Sequence, residues 1–264
     1  MHPIEHLRYV ARSRGADPVS LVRETASALS GLRHDSAGIV LAVRRIIQRH
    51  ATVGPLWWLS SHVLAAPDPF VAMRLCEEEI SNDPTQQTLC DLVPQDAKVC
   101  VVGWPTTTLN ALAVRSDLSF FVIESNGDGD SAVERLQSMD IDATLAQFEN
   151  ISRIVSECDV VIVEAMATGS HGALCSAGSH AVAALGYCAQ KPVWVVVPCG
   201  TCLPDELWEA MASGVMNDDQ QLFDIVPKNL FSKVISKNGV SDESNSVFVA
   251  ECPPTTELLR HSAM

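Results

Sequence analysis

Between positions 98 and 197 the chain keeps one rhythm. Short apolar runs at 99–102, 120–123, 142–145, 160–163 and 193–197 are separated by helical stretches at 106–115, 130–139, 148–158 and 176–190. Another helical stretch follows at 205–213. Runs that are apolar without alternation need cover on both faces, and intervening helices supply it. This predicts an α/β fold with a doubly wound, mostly parallel, Rossmann-like sheet. In such a sheet ligands sit beyond the carboxyl ends of the strands, where the strand order reverses.

The segment ahead of the sheet has a different period. Asp35-Ser36 is placed to cap a helix carrying Ile39, Val40, Val43, Ile46 and Ile47 on one face. Arg44, Arg45 and Arg49 fall mostly on the other side. Helical patterns continue at 56–65 and 70–80, and Asn82-Asp83-Pro84 reads as a stop. The expected organisation is an N-terminal helical domain, 1–92, followed by a Rossmann-like domain, 93–264. Trp57-Trp58 reads as core, and the polar stretch after Ser241 as a surface return.

Charge narrows the partners. The 264 residues carry a net charge of −14, yet residues 1–50 hold eight arginines against four acids. An acidic chain is a poor general nucleic-acid binder, because neutralising phosphates takes clustered Lys and Arg. The basic N-terminal stretch is either a solvated helix face or a contact for phosphate. Met1 to Glu5 opens no secretory signal, and no apolar run approaches the ~18 residues of a membrane span. A cytoplasmic location is therefore expected. Nine cysteines at irregular spacing suit buried small hydrophobes. Cys199-Gly-Thr-Cys202 is the only C-x-x-C, with no second pair to build a zinc site. It is a redox pair or a strand end followed by a turn.

Three segments could bear chemistry. After the first strand, Gly103 precedes Thr106, Thr107 and Thr108, whose helix-opening amides could cradle an anion. After the second come Glu124 and Ser125. After the fourth, residues 164–180 gather Glu164, Met166, Ser170, His171, Gly172, Cys175, Gly178, Ser179 and His180. Glu164, His171 and Cys175 are the candidate catalytic groups, with Cys175–His180 as a possible nucleophile pair. There is no G-x-G-x-x-G, P-loop, G-x-S-x-G or H-E-x-x-H, and neither a metal nor a cofactor is expected.

In order along the chain, residues 101–112, 121–125, 132–144 and 159–164 resemble one superfamily. So do 171–174, 178–183, 191–196 and 223–227. The set is similar to the alpha, beta and delta regulatory subunits of translation initiation factor 2B. Ribose-1,5-bisphosphate isomerase and methylthioribose-1-phosphate isomerase are enzymes of the same superfamily. The resemblance implies self-association through the C-terminal domain.

The chain departs from the enzymes at four places. Their Gly-Ala-Asp triplet reads Glu164-Ala165-Met166, and a thioether exchanges no proton. Their Asn-Lys pair is replaced by Ser176-Ala177. Their catalytic Cys is unmatched at 105–108, and their Arg-Gly loop is unmatched at His34-Asp35-Ser36. The motif resembles the non-catalytic beta-type subunits more closely.

The resemblance therefore implies a non-catalytic protein that senses a sugar phosphate or nucleotide, or that assembles, as a homodimer or larger. The alternative is a phosphosugar isomerase with a rebuilt site around Glu124, Glu164, His171 and Cys175. Nucleotide exchange by this chain alone is not expected. The expected anion pocket lies between the domains. It is lined by Gly103, Thr106, Thr107, Thr108, Glu124, Ser125, Met166, Ser170, His171, Gly172, Gly178 and Ser179. Arg44, Arg45 or Arg49 would supply its positive charge.

Overall fold

Three helices of the N-terminal bundle start at aspartate caps. The computed structural model describes residues 17–32, 35–216, 222–242 and 248–259. Helix α1 (Pro18–Ser30) opens with Pro at its first position and Asp17 accepting from Ser20 N at 2.9 Å. Helix α2 (Ser36–Arg49) is capped by Asp35, which accepts from Gly38 N at 2.7 Å. It buries Ile39, Val43, Ile46 and Ile47, the face read from the sequence. Helix α3 (Gly54–Ala65) is apolar on every side, with Leu56, Trp57, Trp58, Leu59 and Val63 all buried. It is therefore the central helix of the bundle. Helix α4 (Pro69–Ser81) begins at Asp68, whose carboxylate accepts from Phe70 N and Val71 N. Helix α5 (Thr85–Leu92) follows, but its Leu89 packs with the sheet residues Val99 and Val101.

The sheet has the topology that the apolar runs predict. Its parallel strands are β1 (Lys98–Val102), β2 (Ser119–Ile123), β3 (Asp142–Ala146), β4 (Val160–Glu164), β7 (Val193–Val197) and β9 (Lys233–Ser236). Strand β10 (Gly239–Asp242) adds one antiparallel edge. The order is β10-β9-β7-β4-β1-β2-β3, so the order reverses between β1 and β4. The crossover helices are α6 (Thr106–Leu112), α7 (Asp128–Gln137), α8 (Ile151–Glu157) and α9 (Ser179–Cys188). Val161, Val163, Val193 and Val195 pack on one face of the sheet, and Val160, Ile162, Trp194 and Val196 on the other.

Two segments depart from the sequence reading. Residues 164–180, read as one functional patch at a strand end, mostly build a second sheet. Here β5 (Ala167–Gly169) and β6 (Gly172–Ser176) form an antiparallel hairpin that pairs with β8 (Phe223–Pro227). Ala167, Gly169, Ala173, Leu174 and Cys175 are small or apolar and buried, so the backbone finds its partners in a sheet rather than in solvent. The tail is no surface return. In residues 248–259 Cys252 and Leu258 are buried, and the segment ends in the short helix α11 (Thr256–Leu259).

The bundle and the small sheet share one core. Val22, Leu29, Leu56 and Trp58 join Ala167, Leu174, Leu203, Trp208 and Leu258 in a single cluster. Trp208 belongs to α10 (Asp205–Met216). Gly54 N donates to Met166 O at 3.0 Å, a direct backbone bond between bundle and hairpin.

Candidate functional site

The expected anion cradle at the start of α6 is already filled from within the chain. Gly103, with φ +62°, turns the chain out of β1. Thr107 N then donates to Glu164 Oε1 at 3.0 Å, and Thr108 N to Glu164 Oε2 at 2.8 Å. The Thr108 hydroxyl adds a bond of 2.9 Å to Oε2. Glu164 ends β4, the strand beside β1, so its side chain reaches the helix across the point where the strand order reverses. Burial pushes its carboxyl above the usual range, and the bonds from Thr107 and Thr108 pull the other way.

The same device recurs along the carboxyl edge. Glu124, just after β2, accepts from Gly127 N at 2.5 Å and Asp130 N at 3.2 Å, which caps α7. Asp224, in β8, accepts from Gly178 N at 2.8 Å and His180 N at 3.0 Å, which caps α9. Beyond β7, Cys199 N donates to Asp83 at 2.8 Å and Gly200 N donates to Glu251. Orphan amides and the positive end of a helix dipole favour an anion, and here the anions are side chains. Asp83, Asp224 and Glu251 were not foreseen as capping residues. Asp224 carries a signal in hindsight: it is a lone charge inside Phe223-Asp-Ile-Val-Pro227.

The remaining predicted site residues fall into separate places. Gly103, Ser125, Ser176 and Gly178 meet at the carboxyl edge. A Cβ on Gly103 would lie 3.1 Å from Ser125 Cβ and 3.7 Å from Ser176 Oγ. One on Gly178 would lie 3.9 Å from Val102. Ser179 is buried at the start of α9. Ser170 and His171 form the turn at the opposite end of the hairpin. The four steps from Gly172 to Ser176 span about 13 Å at ~3.3 Å each, so the two groups do not share a site. Ser170 N bonds Asp205 at 3.2 Å, and His171 is exposed.

Several predicted pairings are corrected by burial. Cys175 is fully buried in the sheet core, where burial, then the Asp224 and Glu164 charges, push its thiol up. His180 is exposed, so the two are no nucleophile pair. Cys199 and Cys202 are free and buried. Burial raises both thiols, that of Cys202 to about 12, which suppresses the thiolate that redox exchange needs. Met166 packs against the core shared by bundle and hairpin. Arg44 donates to Glu257 O at 2.8 Å and so holds the C-terminal helix, while Arg45 and Arg49 are exposed. His34 lies outside the described residues. Among the described residues no group of three or more His, Cys, Asp or Glu is arranged to hold a metal ion. No described helix is long and apolar enough to cross a membrane.

No sequence-family profile and no curated protein matches the chain. Solved structures do. The Pyrococcus horikoshii OT3 translation initiation factor eIF-2B superposes with a TM-score of 0.72 at 14% identity, covering 91% of this chain and 96% of that one. The chain has the eIF2B-subunit fold. Chaetomium thermophilum eIF2B beta gives a TM-score of 0.68 at 14% identity, with 92% and 88% covered. The eIF2B-beta2-delta2 complex of C. thermophilum gives 0.70 at 14% identity, with 92% and 90% covered. These values carry the fold. The helical bundle, the parallel sheet and their order are those of this fold.

Proposed function

We propose that this chain is a non-catalytic protein of the initiation factor 2B type that works by assembling with a second copy of itself. One observation carries the reading: the carboxylate of Glu164 occupies the α6 amides, two residues before Met166. An acid held by three donors is a structural cap rather than a proton shuttle. The helical bundle supports the same reading. It meets the β5–β6 hairpin through apolar side chains and the Gly54–Met166 bond, where the isomerase reading needs a polar pocket. A solved neighbour of the same fold is described as a beta2-delta2 complex, which fits a life in assemblies.

In this reading a phosphate ester finds the amides of the carboxyl edge already taken. Wild type, Thr107→Val and Arg45→Ala then bind it with equal, weak affinity. Sedimentation velocity at micromolar concentration tests the assembly, with about twice the 28.5 kDa chain mass expected. A clean monomer would overturn the assembly reading. Turnover of ribose-1,5-bisphosphate or methylthioribose-1-phosphate at ordinary enzymatic rates, about 1–10³ s⁻¹, would overturn the non-catalytic one.

A further inference from the structure

Helix α9 lacks charge on both of its sides, yet one side is open to solvent. Its ten residues, Ser179–Cys188, include no Asp, Glu, Lys or Arg. Ser179, Val182, Ala183 and Gly186 are buried against the sheet. The packing there is close: a Cβ on Gly186 would lie 2.7 Å from Val193 Cγ2. The other side carries His180, Ala181, Ala184, Tyr187 and Cys188 at helical spacing. His180, Ala181 and Cys188 are exposed, Ala184 is half-buried, and Tyr187 is 58% exposed. Crossover helices α7 and α8 solvate their outer sides with charge instead. The first presents Asp130, Glu134 and Arg135, and the second Arg153 and Glu157. A helix that is apolar all round belongs in an interior.

The same surface continues past the end of the helix. A cleft of about 830 Å³ is lined there by Tyr187, Cys188, Lys191, Pro192, Leu230 and Phe231. At the other end Asp224 caps the helix through Gly178 N and His180 N. Of the nine free cysteines, Cys188 is the one exposed thiol. We propose that the outer side of α9 is the surface through which this chain pairs with a second copy of itself. The proposal rests on the assembly reading above and gives that assembly its contact.

Charge selects a second copy as the occupant. The chain carries a net charge of −14, so two copies repel wherever their acids meet and can close only where acids are absent. The cores of interfaces are depleted in charged residues and enriched in Tyr. A closed pair uses one patch on both copies, so the patch must fit itself. Two α9 helices crossing antiparallel meet that condition. Centred on Ala184, the crossing lays each Tyr187 over the partner's Ala181, a large side chain against a small one. It also carries Lys191, just past one helix end, toward the partner's Asp224 at the start of the other. The two helix dipoles then run in opposite directions.

Sedimentation velocity and thiol labelling of the full chain test this surface together. Ala181→Glu and Tyr187→Glu each set two like charges against one another across the pair. Each is expected to raise the dissociation constant roughly a hundredfold or more, leaving a monomer at micromolar concentration. Both positions are exposed, and an unchanged circular dichroism spectrum confirms the fold. In the wild-type dimer a maleimide is expected to modify Cys188 roughly tenfold more slowly than in the Ala181→Glu monomer, because pairing covers the thiol. Leu41→Glu, at a 66% exposed position of α2, is expected to leave the dimer intact. A dimer that survives both α9 substitutions, or one whose Cys188 reacts at the monomer rate, would overturn this surface while leaving the assembly reading in place. A monomeric wild type would overturn both.

Discussion

At Glu164 a carboxylate meets two amides and a hydroxyl of α6, and removing it leaves those donors facing a buried space. Orphaned buried donors cost about 1–3 kcal/mol each, and charge-assisted bonds are worth more than neutral ones. Glu164→Ala is therefore expected to lower unfolding stability by roughly 2–4 kcal/mol. Glu164→Gln keeps one acceptor and should lose less than half of that. Urea unfolding of the three proteins measures both, and a neutral Glu164→Ala would show that the cap is dispensable. Both partners were legible in the sequence, Thr106–Thr108 as donors and Glu164 as an acid. Their union was not, because it depends on β1 and β4 lying side by side although 56 or 57 positions separate the bonded residues. The same reason hides Asp83, Asp224 and Glu251, each of which caps a segment far away in the chain.

Elements with a clear period could be read in advance, while elements with small residues could not. The β1, β2, β4 and β7 runs are dense in Val, Ile and Phe, and their strands lie where those runs predicted. The β5–β6 hairpin is built from Ala, Thr, Gly, Leu, Cys and Ser, a composition that reads equally well as a ligand loop. Helix α5 has a helical pattern, but nothing local says that Leu89 faces the sheet rather than the bundle. Its packing sets the end of the bundle at Asn82–Pro84, eight to ten residues before the expected boundary at 92. The contact between α3 and the hairpin is equally specific. A Cβ on Gly54 would lie 2.5 Å from Met166 O, a backbone atom that cannot swing aside. Gly54→Ala is thus expected to cost about 1–3 kcal/mol by forcing helix and hairpin apart. A lower denaturation midpoint with an unchanged slope would match this, whereas an unchanged midpoint would mean that the hairpin shifts freely.

For the molecule as a whole, the shared core decides how it unfolds. Trp58 is completely buried, and a Cβ on Gly200, where φ is +81°, would lie 3.0 Å from its ring. Leu174 of the hairpin and Leu207 and Trp208 of α10 belong to the same cluster as Leu29, Leu56 and Leu59 of the bundle. Each fully buried side chain of this size contributes about 1.5–3 kcal/mol relative to exposure. Removing the bundle uncovers several at once, a loss comparable with the ~5–15 kcal/mol of net stability usual for a domain. The sequence suggests a chain divisible near residue 92, since its two halves differ in charge and period. The packing predicts one cooperative unit instead. Full-length protein should unfold in a single transition, with Trp fluorescence and far-ultraviolet circular dichroism tracing the same curve. A fragment of residues 93–264 should show exposed apolar surface, bind a hydrophobic dye and lack a cooperative melt. A soluble fragment that melts sharply, or two separated transitions in the intact chain, would mean that bundle and sheet are energetically independent despite their common core.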